Sequence, residues 1–257
     1  MIRTARKPPR RAQAARREEA MATILDAAEA LFAEHGRDGV TVRSLAEAAD
    51  VDAPLVHYYF DDLEGVYRAV FLRKSTEINR IRNEAMDDYL AAHGKQPSIQ
   101  GAFDTFLQPA FNTIAADPKY WLNFATMVSY ANSSRFHGRQ YMREFDTTVQ
   151  RFLDLLMRLA PEVPPAEIYW FYHLMSGSLA MCLAQTGRID ILSRGLCKST
   201  DLMAVLEPMT LVYRAGFEAL RARHAKAARA GGASQRWRRT RTSPAARTKR
   251  PERGVDD

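Results

Sequence analysis

The side chains best suited to do chemistry in this 257-residue chain form a short run of rings: His57, Tyr58 and Tyr59, followed by Phe60. Phenolic hydroxyls can bond phosphate oxygens, and an imidazole can reach a phosphate or a base edge. His57 taken alone fits a local packing or bonding role equally well. Arg43, a little upstream, suits a contact with a phosphate backbone. Other chemistries find no support. The six histidines, at positions 35, 57, 93, 137, 173 and 224, lack metal-ligand spacing. Cys182 and Cys197 are too few for a disulfide framework and form no metal-type pair. There is no phosphate-binding glycine loop, no zinc-protease helix and no nucleophile elbow. No enzyme activity, catalytic residue, cofactor or metal is therefore expected.

The rings need a scaffold, and the pattern around them is helical. Ile24, Ala27, Ala28, Leu31 and Phe32 repeat at helical spacing on one face, giving a first helix from near Arg17 that Gly36 ends. Thr41 is an N-cap for a short second helix through Ala49, with Leu45, Ala48 and Ala49 inward. Asp50, Val51 and Asp52 form a tight turn. Asp52 then caps a third helix, Ala53 to Tyr59, with Pro54 in its first turn, where a missing N–H costs nothing. Asp61 or Asp62 caps a fourth, in which Val66, Tyr67, Val70 and Phe71 recur. Two short helices joined by a tight turn and packed on an amphipathic helix make a DNA-reading unit when the second enters the major groove.

The remainder reads as a larger helical domain. Breaks fall at Gly94 to Pro97, Asp117-Pro118, Asn132 to Ser134, Pro161 to Pro165 and Gly187 to Thr200. A last helix spans about Asp201 to Ala225. The expected fold class is all-α: a three-helix head over residues 18–64, a body over 65–225, and disordered basic segments over 1–17 and 226–257.

Charge is divided unevenly. Residues 1–17 hold seven Arg and Lys and no acid, residues 221–257 hold twelve against three, and 18 bases and 27 acids lie between. Cationic ends bind polyanions, whether nucleic acid or an anionic membrane surface. The N-terminal arm suits a minor groove. Trp237, among Arg236, Arg238, Arg239, Arg241, Lys249 and Arg250, suits stacking or insertion at a membrane surface. The first residues lack an apolar secretory core and only superficially resemble a transit peptide. Ile168 to Gly187 is free of Asp, Glu, Lys and Arg but carries Tyr169, Tyr172, His173, Ser176, Ser178 and Gln185, so it reads as a buried helix and not a membrane span. A reducing, cytoplasmic location is expected.

The ordered set Ile24 to Ala28, Leu31-Phe32, Gly36, Thr41-Val42, Leu45-Ala46, Val51, Val56, Tyr58 to Phe60 and Val70-Phe71 resembles the N-terminal signature of TetR-family repressors. The resemblance covers about residues 18–72. It implies that Thr41, Val42, Arg43, Pro54, Leu55, His57, Tyr58 and Tyr59 face DNA. It also implies that Phe60 is buried where the head meets the fourth helix. Three positions depart from the family pattern. Leu55 stands for a small hydroxyl residue, His57 for Tyr or Asn, and Leu63 for a Lys that approaches phosphate. Beside Asp61, Asp62 and Glu64, that last change weakens the local attraction for phosphate, which dominates DNA affinity.

A second, looser resemblance, carried by Val163 to Trp170 and His173 to Gly177, links the body to long-chain fatty-acid-responsive members. It implies a lipophilic effector, an acyl chain or acyl-CoA, and dimerisation through the last two helices. Candidate lining residues are Phe103, Phe106, Leu107, Phe111, Phe124, Met127, Phe171 and Met175, with His173 as a polar contact. Gly177, Ser178 and Ala180 would admit a close partner helix. Leu202, Leu206, Met209, Val212, Tyr213 and Phe217 would form the partner stripe, and a two-fold homodimer suits a palindromic operator. The competing expectation is a helical protein that binds polyanions or membrane surfaces without operator specificity.

Overall fold

In the computed structural model, the backbone is described over residues 10–241 and side chains over 13–229. Met1 to Pro9 and residues 242–257 lie outside, and with them most of the proposed minor-groove arm and the end of the cationic tail. Side chains beyond Arg229, Trp237 included, also lie outside the described residues.

Eleven α-helices and one 3-10 turn make up the described chain, with no strand among the described residues. Helix α1 (Arg10–His35) starts earlier than the spacing of its apolar face suggested, because its first turns are rich in Arg, Ala, Gln and Glu, all strong helix formers. It ends at Gly36, whose φ of 69° is the left-handed conformation of a helix terminator. Helix α2 (Val42–Ala48) opens on a capping box: Ser44 N donates to Thr41 Oγ1 at 3.0 Å and Thr41 N to Ser44 Oγ at 3.0 Å. It buries Leu45, Ala46 and Ala49, whereas Ala48, expected inward, is exposed. Val51 N donates to Ala46 O at 3.0 Å, and that bond closes the turn around Asp50.

Helix α3 (Ala53–Phe60) buries only Val56 and Phe60. Asp52 occupies its N-cap position but makes no side-chain cap bond, so the start of α3 rests on the Pro54 ring and backbone geometry. Helix α4 (Leu63–His93) is capped by Asp62, whose Oδ1 accepts from Gly65 N at 2.7 Å. This unbroken helix carries the end of the head into the body. The body follows as α5 (Ile99–Ala116), α6 (Pro118–Ser133), α7 (Arg135–Tyr141), the 3-10 turn (Met142–Phe145), α8 (Asp146–Leu159), α9 (Pro165–Leu183), the short α10 (Arg188–Leu192) and α11 (Leu202–Arg241). Helix α11 continues well past Ala225, where disorder was expected, because Ala225 to Ala230 is dominated by Ala, Lys and Arg.

One continuous apolar core joins head and body. Aromatic rings fill much of it. Phe106 stacks on Phe152 with centroids 4.3 Å apart, and Phe103 meets Phe152, Phe171 and Phe217 edge-on. Among the described residues, no helix is long and apolar enough to cross a membrane. The segment Ile168 to Gly187, expected to be buried, is buried only at Ile168, Met175 and Leu183, while Tyr169, Trp170, Leu174 and Met181 lie exposed.

Candidate functional site

The head presents its donors on one small surface. On α3, Val56 and Phe60 point inward, which turns Pro54, His57 and Tyr58 out to solvent; Tyr58 is 75% exposed. Leu55 and Tyr59 are half-buried, as is Val42 on α2, while Thr41 and Arg43 are exposed. The Arg17 guanidinium of α1 lies 5.8 Å above the Tyr59 ring, and Tyr58 packs edge-on against the same ring at 5.1 Å. The structure thus brings all the expected DNA-facing residues onto neighbouring parts of α2 and α3, with Tyr59 held from behind.

His57 combines a local and an outward role. Its Nδ1 lies 2.8 Å from the Asp61 carbonyl oxygen. A carbonyl can only accept, so Nδ1 donates in this bond and Nε2 is left for another partner. Asp61, with φ of 65°, ends α3 and thereby fixes the histidine ring.

Leu63, which replaces the phosphate-approaching lysine of the family pattern, is buried at the head's edge. Glu64 beside it is engaged within the chain. It accepts from Arg37 Nε at 3.3 Å and Gln140 Nε2 at 3.1 Å and bonds Tyr141 Oη. The acid therefore ties α4 to α7. Burial and Glu64 together push the Tyr141 phenol up, and burial then Glu64 raises Tyr67 to about 12.

A second junction joins α1 to α4 and α6. Glu29, 5% exposed, lies 3.4 Å from Lys74 Nζ and 3.1 Å from Arg73 Nη2, and Arg73 also reaches Asp26 at 2.9 Å. Lys74, only 1% exposed, donates to the Tyr120 carbonyl and sits over the Tyr120 and Trp121 rings. Burial raises the Glu29 carboxyl and lowers the Lys74 ammonium, in each case against the pull of the partner. Sequence reading missed this pair. The signal was present, since Phe71, Lys74 and Ile78 share the inward face of α4 and Leu25, Glu29 and Phe32 that of α1.

The body holds a cavity of about 40 Å³ between α4, α5, α6 and α9. Phe111 and Phe124 line it together with Ile78, Trp121 and Leu179. Phe103, Phe106, Leu107, Met127 and Met175 are fully packed in the core, and Phe171 is half-buried against Phe103 and Phe217. His173, offered as an interior polar contact, is exposed next to Trp170. Arg82 lines the cavity and was not anticipated.

Apolar side chains also lie open on α9 and α11. Trp170, Leu174 and Met181 follow one face of α9, with Gly177 among them and open space where its side chain would be. Leu211 and Val212 are exposed on α11. Most of the expected α11 stripe faces the other way. Leu202, Met209 and Phe217 are buried in the chain's own core, and Leu206 and Tyr213 pack against it.

Comparison with known proteins places both parts. Residues 24–70 match the family model described as bacterial regulatory proteins, tetR family, and residues 104–216 match the tetracyclin repressor-like C-terminal domain. The biofilm operon icaADBC HTH-type negative transcriptional regulator IcaR of Staphylococcus epidermidis is 26% identical over 126 residues. That match spans 49% of this chain and 63%, under two thirds, of IcaR. The hemolysin II transcriptional regulator HlyIIR has the same fold at a TM-score of 0.52, with 18% identity over 76% of this chain and 98% of its own. The fatty acid degradation regulator FadR of Bacillus halodurans matches at 0.50, with 17% identity over 82% of this chain and 98% of its own. With a helix-turn-helix head and a helical body that each match their own model, the chain belongs to the tetR family of bacterial regulatory proteins.

Proposed function

We propose that this regulator is a homodimeric, operator-specific repressor whose release from DNA is driven by a small lipophilic effector bound in the body. The observation that carries this reading is the exposed face of α3. Its two inward residues leave Pro54, His57 and Tyr58 free, and Thr41 and Arg43 flank them at the start of α2. Pro54, Leu55, His57 and Tyr58 reach base edges or phosphates in the major groove, while Thr41, Val42 and Arg43 hold the adjacent backbone. Tyr59 orients Tyr58. Head and body divide within α4, near residues 64–65, and the cationic ends add sequence-independent affinity.

The open apolar faces of α9 and α11 support a two-helix contribution from each protomer to a four-helix dimer contact. The effector is an apolar compound, an acyl chain or acyl-CoA among the candidates, and the cavity beside α4 is its entry point. An effector shifts the population only if it prefers one arrangement of the heads. Helix α4 runs from the head past that cavity, and the Glu29–Lys74 and Glu64–Tyr141 junctions lie along it, so opening the body moves the head.

The test is an anisotropy titration against the DNA flanking the protein's own gene, with excess non-specific competitor. Selective binding by the full chain, lost in the His57→Ala, Tyr58→Ala double variant with its helical content intact, is the expected outcome. Binding that never exceeds the competitor's, and that the double variant retains, would replace this reading with general polyanion binding.

A further inference from the structure

The cavity in the body has an unusual wall. Eleven of its twelve lining residues are apolar or aromatic, among them Ile78, Phe111, Trp121, Phe124 and Leu179, and the twelfth is Arg82. Arg82 is 9% exposed, and its Nε is buried without a hydrogen-bond partner. Among the described residues no carboxylate pairs with it. Other arginines of the body differ: Arg73, Arg80 and Arg151 each meet an acid. The guanidinium is held in place by the Phe106 ring, 5.0 Å from its carbon. Burial pushes it down, and Tyr172, the phenol it interacts with, is itself raised by burial and stays neutral. A buried cation without a counter-charge is costly, and a planar fork of donors is the group that best matches a carboxylate.

Resting on the effector reading above, we infer that the cavity takes an amphipathic organic acid in its free, unesterified form, with the carboxylate on Arg82 and the chain between α5, α6 and α9. The cavity of about 40 Å³ admits little more than a head group, so in this proposal Leu179 and Leu183 of α9, which line it, give way to the chain. An ester, a thioester or an alcohol of the same length brings no charge to Arg82 and leaves its cost unrelieved.

Trp121 lines the cavity and is 4% exposed, so its fluorescence reports occupancy. The full chain is titrated, without DNA, with decanoate and with decanol below their aggregation concentrations, and the same is done for Arg82→Met. Calorimetry repeats the binding curves without the optical reporter. Decanoate is expected to bind the wild type at least about tenfold more tightly than decanol, the scale of one charge-assisted hydrogen bond. In Arg82→Met that preference disappears while decanol binding persists. Leu179→Trp, which fills the cavity and keeps Arg82, blocks both probes. Equal affinity for acid and alcohol, a preference retained in Arg82→Met, acid binding undiminished in Leu179→Trp, or no binding of either probe would each overturn the inference. DNA release is measured separately. Decanoate that binds through Arg82 without releasing DNA leaves this site standing and removes the regulatory reading.

Discussion

Glu29 and Lys74 are not interchangeable halves of one ion pair, and their removal has unequal consequences. Among the described residues, Glu29→Leu strips from Lys74 the one carboxylate that pairs with it, leaving a 1% exposed ammonium with a carbonyl, two aromatic faces and only the more distant charge of Glu77. Breaking a buried pair in this way costs about 3–5 kcal/mol. Lys74→Met leaves Glu29 still paired with Arg73 at 3.1 Å and puts an apolar chain of similar length between Tyr120 and Trp121. Its cost is the lost hydrogen bond and cation–π contact, about 1–2 kcal/mol. The double variant should fall short of the sum of the single losses by about 2 kcal/mol, since the orphaned charge is gone. At about 2–4 °C per kcal/mol for a chain of this size, Glu29→Leu lowers Tm by roughly 6–20 °C. Urea unfolding followed by circular dichroism, at one fixed protein concentration, reads these values. Sign matters for pH. The Lys74 ammonium is held below its ordinary 10.5, so the unfolded chain binds the proton more tightly. Stability at this site therefore rises as pH climbs from the lowered folded value toward 10.5, and Glu29→Leu should recover part of its loss at alkaline pH. Equal single losses, or strict additivity in the double variant, would refute the asymmetry.

Other consequences are simpler. The Tyr67 phenol is raised from 10.0 to about 12, so its contribution is full below pH 10 and is lost as pH rises through about 12. Tyr67→Phe should remove the stability decline over that interval, on the order of 3 kcal/mol, read by unfolding curves and phenolate absorbance. Thr41→Ala breaks the capping box of α2 and should cost about 0.5–2 kcal/mol while Thr41→Asp keeps most of it, again by urea unfolding. Gly101→Ala places a methyl 2.2 Å from the Tyr89 ring, whose hydroxyl accepts from Ser98 N at 2.8 Å. It should destabilise by about 1–3 kcal/mol, and Tyr89→Ala in the same chain should relieve most of the clash.

How much of this was readable in the residues depends on what each signal measures. Caps and breakers act locally, so Gly36, Thr41, Asp62, Asp117-Pro118 and Pro161 to Pro165 mark real helix ends. Asp52 has the right residue type and position, but its side chain makes no cap bond: Pro54 has no N–H to offer it, and Leu55 N donates to the Asp52 carbonyl instead at 2.8 Å. The first and last helices run longer than expected because Ala- and Arg-rich segments are good helix formers even without an apolar face. Apolar periodicity says that a face is covered but not by what. On α11, Leu202, Met209 and Phe217 are covered by the chain's own α5 and α9, and the exposed Leu211 and Val212 carry the same kind of signal. Of the proposed lining residues, Phe111 and Phe124 border the cavity, whereas Phe103 and Phe106 pack on other rings and leave no space. The informative residue there was a charged one on an inward face, Arg82, four positions beyond Ile78.

The most direct test of the account is a hydroxyl-radical footprint of the full protein on the duplex it selects from the DNA flanking its own gene. The account predicts two protected half-sites related by a two-fold axis, centred about one helical turn or a multiple of it apart, roughly 10 base pairs per turn. Both protections should vanish together in the His57→Ala, Tyr58→Ala variant. A continuous, sequence-independent protection that survives those substitutions would contradict it.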